Sequence, residues 1–167
     1  MATEALKSNN ITNADATPVT VNNSRIDGAM ERIKVATIEV STTKDVGSTY
    51  RFVRVPSNAV ITQVLLYSDD IGTTTTADFG LYRTAEDGGA VVDADFFASA
   101  VSLKDGALTA SDITHESGVF NIDDAEKPLY TALGLSADPM LDYDITATLT
   151  GASDAAGTVT LKVRYTV

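Results

Sequence analysis

Cysteine and tryptophan are missing from this chain, and histidine occurs once in 167 residues. Without cysteine there are no disulfides, no thiolate metal sites and no cysteine nucleophile, and the redox compartment stays undetermined. A lone histidine, His115, excludes a histidine-rich zinc centre. No run approaches the ~18 apolar residues of a membrane helix, and the N-terminus lacks the basic-then-apolar layout of a secretion signal. The expectation is a soluble protein made in the cytosol.

Positive charge is scarce as well. Twelve basic against 23 acidic residues give a net charge of −11, which argues against wrapping nucleic acid or docking on an anionic membrane. The imbalance is uneven. Residues 1–54 hold seven basic and six acidic residues, a balance of +1, whereas the remainder holds five against 17, a balance of −12. Such asymmetry marks a part with separate duties.

What is present is ordinary globular material. Hydrophobic residues make up 44% and charged residues 21%, which excludes a fully disordered chain. The length favours one domain with at most an appendage, and a chain of this size buries roughly 70% of its unfolded surface without staples.

Residues 1–28 read as that appendage, an extended N-terminal arm ahead of a body over 29–167. Asn9, Asn10, Asn13, Asn22 and Asn23 crowd it, and Leu6, Ile11, Val19, Val21 and Ile26 show no sustained period. No aromatic residue precedes Tyr50, so the packed body is built mainly from residues beyond the arm. Composition supports a frayed terminus and a partner-binding arm equally.

From Ile33 the chain reads as strands. IKVATIEVSTT (33–43) is β-branched, and STYRFVRV (48–55) places Tyr50 and Phe52 on one face. VITQVLLYS (60–68) comes after the Pro56 break, and ADFGLYR (77–83) offers Phe79 and Leu81 before the Glu86–Gly89 turn. DADFFASAVSL (93–103) predicts a short helix capped by Asp93 or Asp95, and AEKPLYTALGL (125–135) a second, with Pro128 at its first position and Gly134 as its stop. A strand, SGVFNI (117–122), is expected between them.

The last two strands alternate strictly. Leu141, Tyr143, Ile145, Ala147 and Leu149 interleave with Asp142, Asp144, Thr146, Thr148 and Thr150. Val159, Leu161, Val163, Tyr165 and Val167 interleave with Thr160, Lys162, Arg164 and Thr166. Such alternation means one buried and one wet face, and Gly151–Gly157 reads as the hairpin joining them. The fold class is all-β: seven or eight strands in an antiparallel β-sandwich with one or two short helices. Inward residues should include Phe52, Val64, Leu81, Phe120, Ile145 and Val163.

Chemistry is sparse. His115 lies beside Asp112 in an apparent loop, with no GxSxG elbow to present a serine. Asp69-Asp70, Asp93/Asp95, Asp123-Asp124-Glu126 and Asp142/Asp144 lack the twelve-residue calcium-loop spacing; caps and solvated faces account for them. A paired-carboxylate glycosidase needs stacking aromatics, and aromatic residues are only 7%. Phosphate-loop motifs are absent. The chain reads as a non-enzyme with no cofactor and no metal.

Whole segments carry a family likeness: STYRFVRVPSNAVI, DFGLYRTAEDGGAVVDADFFASAVSL, THESGVF, AEKPLYTALGL and GTVTLKVRYTV. With them the chain resembles the cement, or capsid decoration, proteins of tailed bacteriophages, Bordetella short-tailed phage type. The resemblance implies a jelly-roll-like sandwich that binds the outside of an icosahedral head as dimers. Its partners would be the major capsid protein and a second copy. Its place would be the capsid exterior of the virion, after synthesis in the host cytoplasm. It carries over no active-site residues. Another virion part, such as a tail or head–tail joining component, and a carbohydrate-binding sandwich module remain alternative classes.

Candidate capsid-binding residues fall in the arm: Leu6, Lys7, Asn9, Asn10, Ile11, Val19, Val21 and Arg25. Asparagine and threonine side chains suit hydrogen bonding on a foreign backbone, and the four aliphatic residues suit small pockets. Ordering such a segment costs roughly 1–2 kcal/mol per residue, so a partner must supply contacts. Fully extended, the arm would reach about 90 Å, enough to cross onto a neighbouring subunit.

Overall fold

Alternation and β-branching become strands wherever a partner strand is within reach. In the computed structural model, which describes residues 4–104 and 106–167, eight strands form two antiparallel four-stranded sheets. One sheet runs β1 (Arg32–Val40), β8 (Gly157–Thr166), β3 (Val60–Ser68), β6 (Leu108–Asp112), in the spatial order β1-β8-β3-β6. The other runs β2 (Thr49–Pro56), β7 (Asp142–Leu149), β4 (Thr76–Arg83), β5 (Val91–Ser102), in the order β2-β7-β4-β5. The architecture is the expected all-β sandwich.

Between the sheets lies one core. Val159, Leu161, Val163 and Tyr165 of β8 enter it from one side, and Tyr143, Ile145, Ala147 and Leu149 of β7 from the other. These two strands are therefore not a hairpin: β8 pairs with β1 and β3, β7 with β2 and β4. Residues 150–156 carry the chain from one sheet to the other. Val167 leaves the alternation and is exposed.

Of the six expected inward residues, Val64, Leu81, Phe120, Ile145 and Val163 are buried, while Phe52 is only half-buried. A β-bulge between Arg51 and Val53 shifts the register, and Val53 and Val55 take the inward places. Tyr50 and Phe52 both stay half-buried against the core, at its margin.

The segment expected as a helix at 93–103 belongs to the twelve-residue strand β5. Its pairing with β4 slips: Leu81 opposes Asp93, yet Phe79 opposes Ala98. The extra residues loop out and bring two consecutive aromatics, Phe96 and Phe97, fully inward. Adjacent buried residues break strand alternation, which is why the sequence mimics a helix. Ala100, at φ 49°, closes the irregularity and donates its N–H to Asp78 Oδ1 at 2.7 Å.

Residues 117–122 form turns rather than a strand, because their backbone bonds go to the bulged β5. Phe120 N–H donates to Phe96 O at 3.1 Å and Ser117 N–H to Phe97 O at 3.0 Å. The Phe120 ring stacks on Phe96 with centroids 5.3 Å apart. A 3-10 turn, Ile122–Asp124, comes next. The second expected helix contracts to one turn, α2 (Leu129–Ala132). Pro128 is its N-cap rather than its first residue, and Gly134, at φ 77°, stops it as expected.

Within the expected extended arm, residues Asn9–Ala14 form a short helix, α1, capped by Ser8. The arm then folds back: Asn13 Nδ2 donates to Asn22 Oδ1 at 2.9 Å, and Asn22 Nδ2 to Asp27 Oδ2 at 2.7 Å. It meets the body where Thr166 Oγ1 donates to Arg25 O at 2.7 Å. Among the described residues, no helix is long and apolar enough to cross a membrane.

Candidate functional site

Three surfaces present reactive or sticky groups. The arm is the first. Leu6 and Val21 are 83% and 90% exposed, Ile11 and Val19 are exposed too, and α1 buries nothing. Lys7 is spent locally on Asp15, Nζ to Oδ2 2.7 Å. Asn9 is exposed at the start of α1. Asn10 and Arg25 alone among the candidates come together on the body, lining a shallow cleft with Ile26, Val60 and Thr166. The candidates thus divide into a seam formed by Asn10 and Arg25, an exposed apolar set of Leu6, Ile11, Val19 and Val21, and the exposed polar pair Lys7 and Asn9.

The second surface is the outer face of β2, β7 and β4, where the expected wet face of β7 holds at Asp142 and Thr150, is half-buried at Thr148 and fails at its centre. Asp144 and Thr146 are both buried. Asp144 Oδ1 accepts from Arg54 Nε at 2.8 Å and Oδ2 from Arg51 Nη1 at 3.0 Å. Arg51 also donates to the Arg83 and Gly89 carbonyls and lies over the Tyr82 ring, 5.4 Å from its centroid. Thr146 faces Gly80 across the ladder, and the Asp93–Ala94 backbone packs directly over that glycine.

Burial alone would push the Asp144 carboxyl up, but the hydrogen bonds and charges of Arg54 and Arg51 together hold it below the ordinary range. Its contribution to stability is therefore complete above the unfolded value of about 3.9 and is lost as pH falls through the lower folded value. Asp144→Ala should destabilise the body by about 2 kcal/mol at pH 7, less than a fully buried pair because both arginines keep water contact. The loss should vanish progressively in urea titrations carried out at falling pH. A pH-independent loss would contradict the pairing.

The third surface is the outer face of β1, β8 and β3. Ile33 and Val35 of β1 stand beside Arg164 and Lys162 of β8. Both aliphatic residues are more than half exposed, and Leu65 and Tyr67 of β3 are half-buried on the same face. Sequence reading missed this surface. In IKVATIEV the inward set is Lys34, Ala36, Ile38 and Val40, which leaves Ile33 and Val35 outward. The signal was the charge on Lys34, at an inward position that core packing would reject.

Nothing in the geometry of His115 resembles a catalytic base. Its Nδ1 lies 2.8 Å from Phe120 O and its ring stacks on Phe120. Asp112 is occupied by Thr114 and Gln63 instead of orienting it. Asp93 and Asp95, expected to cap a helix, sit in β5, where burial and the neighbouring Asp95 raise the Asp93 carboxyl. Asp124 secures its turn by accepting from Lys127 Nζ at 2.7 Å and from Asn121 N–H. Among the described residues, no group of three or more histidine, aspartate or glutamate side chains is placed to hold a metal.

No protein-family model and no curated protein matches the chain. Solved structures do. A chain of the "Cyanophage Pam1 capsid asymmetric unit" aligns at a TM-score of 0.52 and 16% identity over 99% of both chains. A chain of the "Capsid of Ralstonia phage GP4" aligns at 0.48 and 16% identity, over 87% of this chain and 88% of that one. The first alignment shows a shared fold over 99% of the chain.

Proposed function

We propose that the protein is a structural component of a bacteriophage virion, a cement protein that binds the outer surface of an icosahedral capsid and stabilises it. The observation that carries this reading is the full-length fold match to a chain of equal length from a phage capsid asymmetric unit. The segment resemblance to decoration proteins points the same way. So does the surface: an arm with exposed aliphatic side chains and sheet faces rich in paired charge suit many repeated contacts. A net charge of −11 keeps the protein off packaged DNA.

Its partners in this reading are the major capsid protein, met through the arm, and a second copy, since closed two-fold pairs are the commonest soluble oligomers. The chain is made in the host cytoplasm and ends on the capsid exterior. Light scattering at micromolar concentration should give a dimer mass; a monomer mass would count against the pairing. The role itself is tested by mixing purified protein with heads that lack it and sedimenting them together. Saturable co-sedimentation with a raised temperature of head rupture is expected. Pelleting no greater than without heads would overturn the proposal.

A further inference from the structure

One edge of the sandwich is unusually open. β1 ends its sheet and is hydrogen-bonded on one side only, to β8, in an unbroken ladder from Arg32↔Tyr165 to Val40↔Gly157. It has no bulge and no proline, two devices that normally blunt an edge. Lys34 is an inward-pointing charge, a device that discourages pairing with another copy; its Nζ donates to Arg54 O at 2.6 Å and lies over the Tyr165 ring. Residues 32–35 are exposed on both faces of the strand.

Charge identifies what would fit. Along this edge Arg32, Lys34, Lys162 and Arg164 outnumber Glu31 and Glu39. Glu31 pairs with Arg164 at 3.6 Å and accepts from Thr62, and Glu39 accepts from Thr158, which leaves Arg32, Lys34 and Lys162 in excess. A locally positive edge on a chain of charge −11 repels another copy of itself and attracts an acidic strand.

We propose that β1 binds an extended, alternately acidic and apolar segment of a partner protein, which adds to the sheet as a further antiparallel strand. Main-chain bonds to the free edge supply affinity, and alternate side chains supply specificity. Apolar residues of the partner lie beside Ile33 and Val35 on the outer face. Its carboxylates lie opposite Arg32 and Lys34 on the inner face, where cross-strand pairs of opposite charge stabilise and like charges oppose. This inference is independent of the virion role, because it rests only on the edge and its charge.

The test uses the full chain, isotopically labelled, and two synthetic peptides of about eight residues, one alternating glutamate with valine and the other lysine with valine. The acidic peptide should shift and protect the amides of β1, leave β5 and β6 untouched, and bind about tenfold more tightly than the basic one. The double variant Arg32→Glu/Lys34→Glu should reverse that preference while the β8 and β3 amides report an intact sheet. Equal binding of both peptides, or no change at β1 with either, would overturn the proposal. Concentration-dependent protection of β1 without any peptide would also overturn it, since a second copy would then hold the edge.

Discussion

Removal of residues 2–22 should leave a folded body that binds heads about 100-fold more weakly than the full chain. Seating two aliphatic side chains such as Leu6 and Val21 is worth about 3 kcal/mol, and that free energy corresponds to two decades of affinity. The cut is placed before Arg25 because the Arg25 carbonyl accepts from Thr166 at the end of β8, and Ile26 lines the seam against Val60. Co-sedimentation of the truncated protein with heads gives the affinity, and circular dichroism gives the fold. Undiminished binding would assign attachment to the sheet faces. Loss of the fold would make the arm part of the core and erase the boundary between residues 28 and 29.

The arm also marks where sequence reading ran out. Its apolar residues have no period, so the sequence offered no reason to expect α1. The Ser8 cap and the Asn13–Asn22 and Asn22–Asp27 bonds that fold it back depend on contacts between residues up to nine positions apart. By contrast, β7 and β8 were legible to within a residue, because a strand with one buried face carries its period in plain view. Which strands they pair with was not legible. Two alternating strands joined by a short glycine-bounded link look alike whether they form a hairpin or cross between sheets.

Gly80→Ala should cost about 3 kcal/mol or more, a large share of a typical domain's stability. Gly80 sits in β4 opposite Thr146, and a methyl group there would run into the main-chain atoms of Asp93 and Ala94. Main chain cannot swing aside as a side-chain tip can, so either the β5 bulge lifts or the strand pair parts, an overpacking cost at the high end of its range. A drop in melting temperature of about 10 °C is expected for a chain of this size. An unchanged melt would mean that β5 does not pass over β4 as described.

That same crossing explains the main misreadings of the body. Phe96, Phe97 and Phe120 form one aromatic cluster, with Phe97 edge-on to both neighbours, and it fills the space that the slipped β4–β5 register opens. A bulge is a tertiary solution, set by what the sheet must accommodate, and no local propensity encodes it. The candidate surfaces divide in the same way. Exposed arm residues were readable from composition, whereas the Arg51–Asp144–Arg54 cluster and the β1 edge required knowing which strands stand at the margins.

An electron cryo-microscopy map of virions that carry this protein tests the central claim most directly. The account predicts density for the eight-stranded sandwich on the outer surface of the capsid shell, with residues 4–22 running from it onto the capsid subunits. Density for the chain in the tail, at the portal or inside the shell, or a capsid that carries no copy of it, would contradict the account.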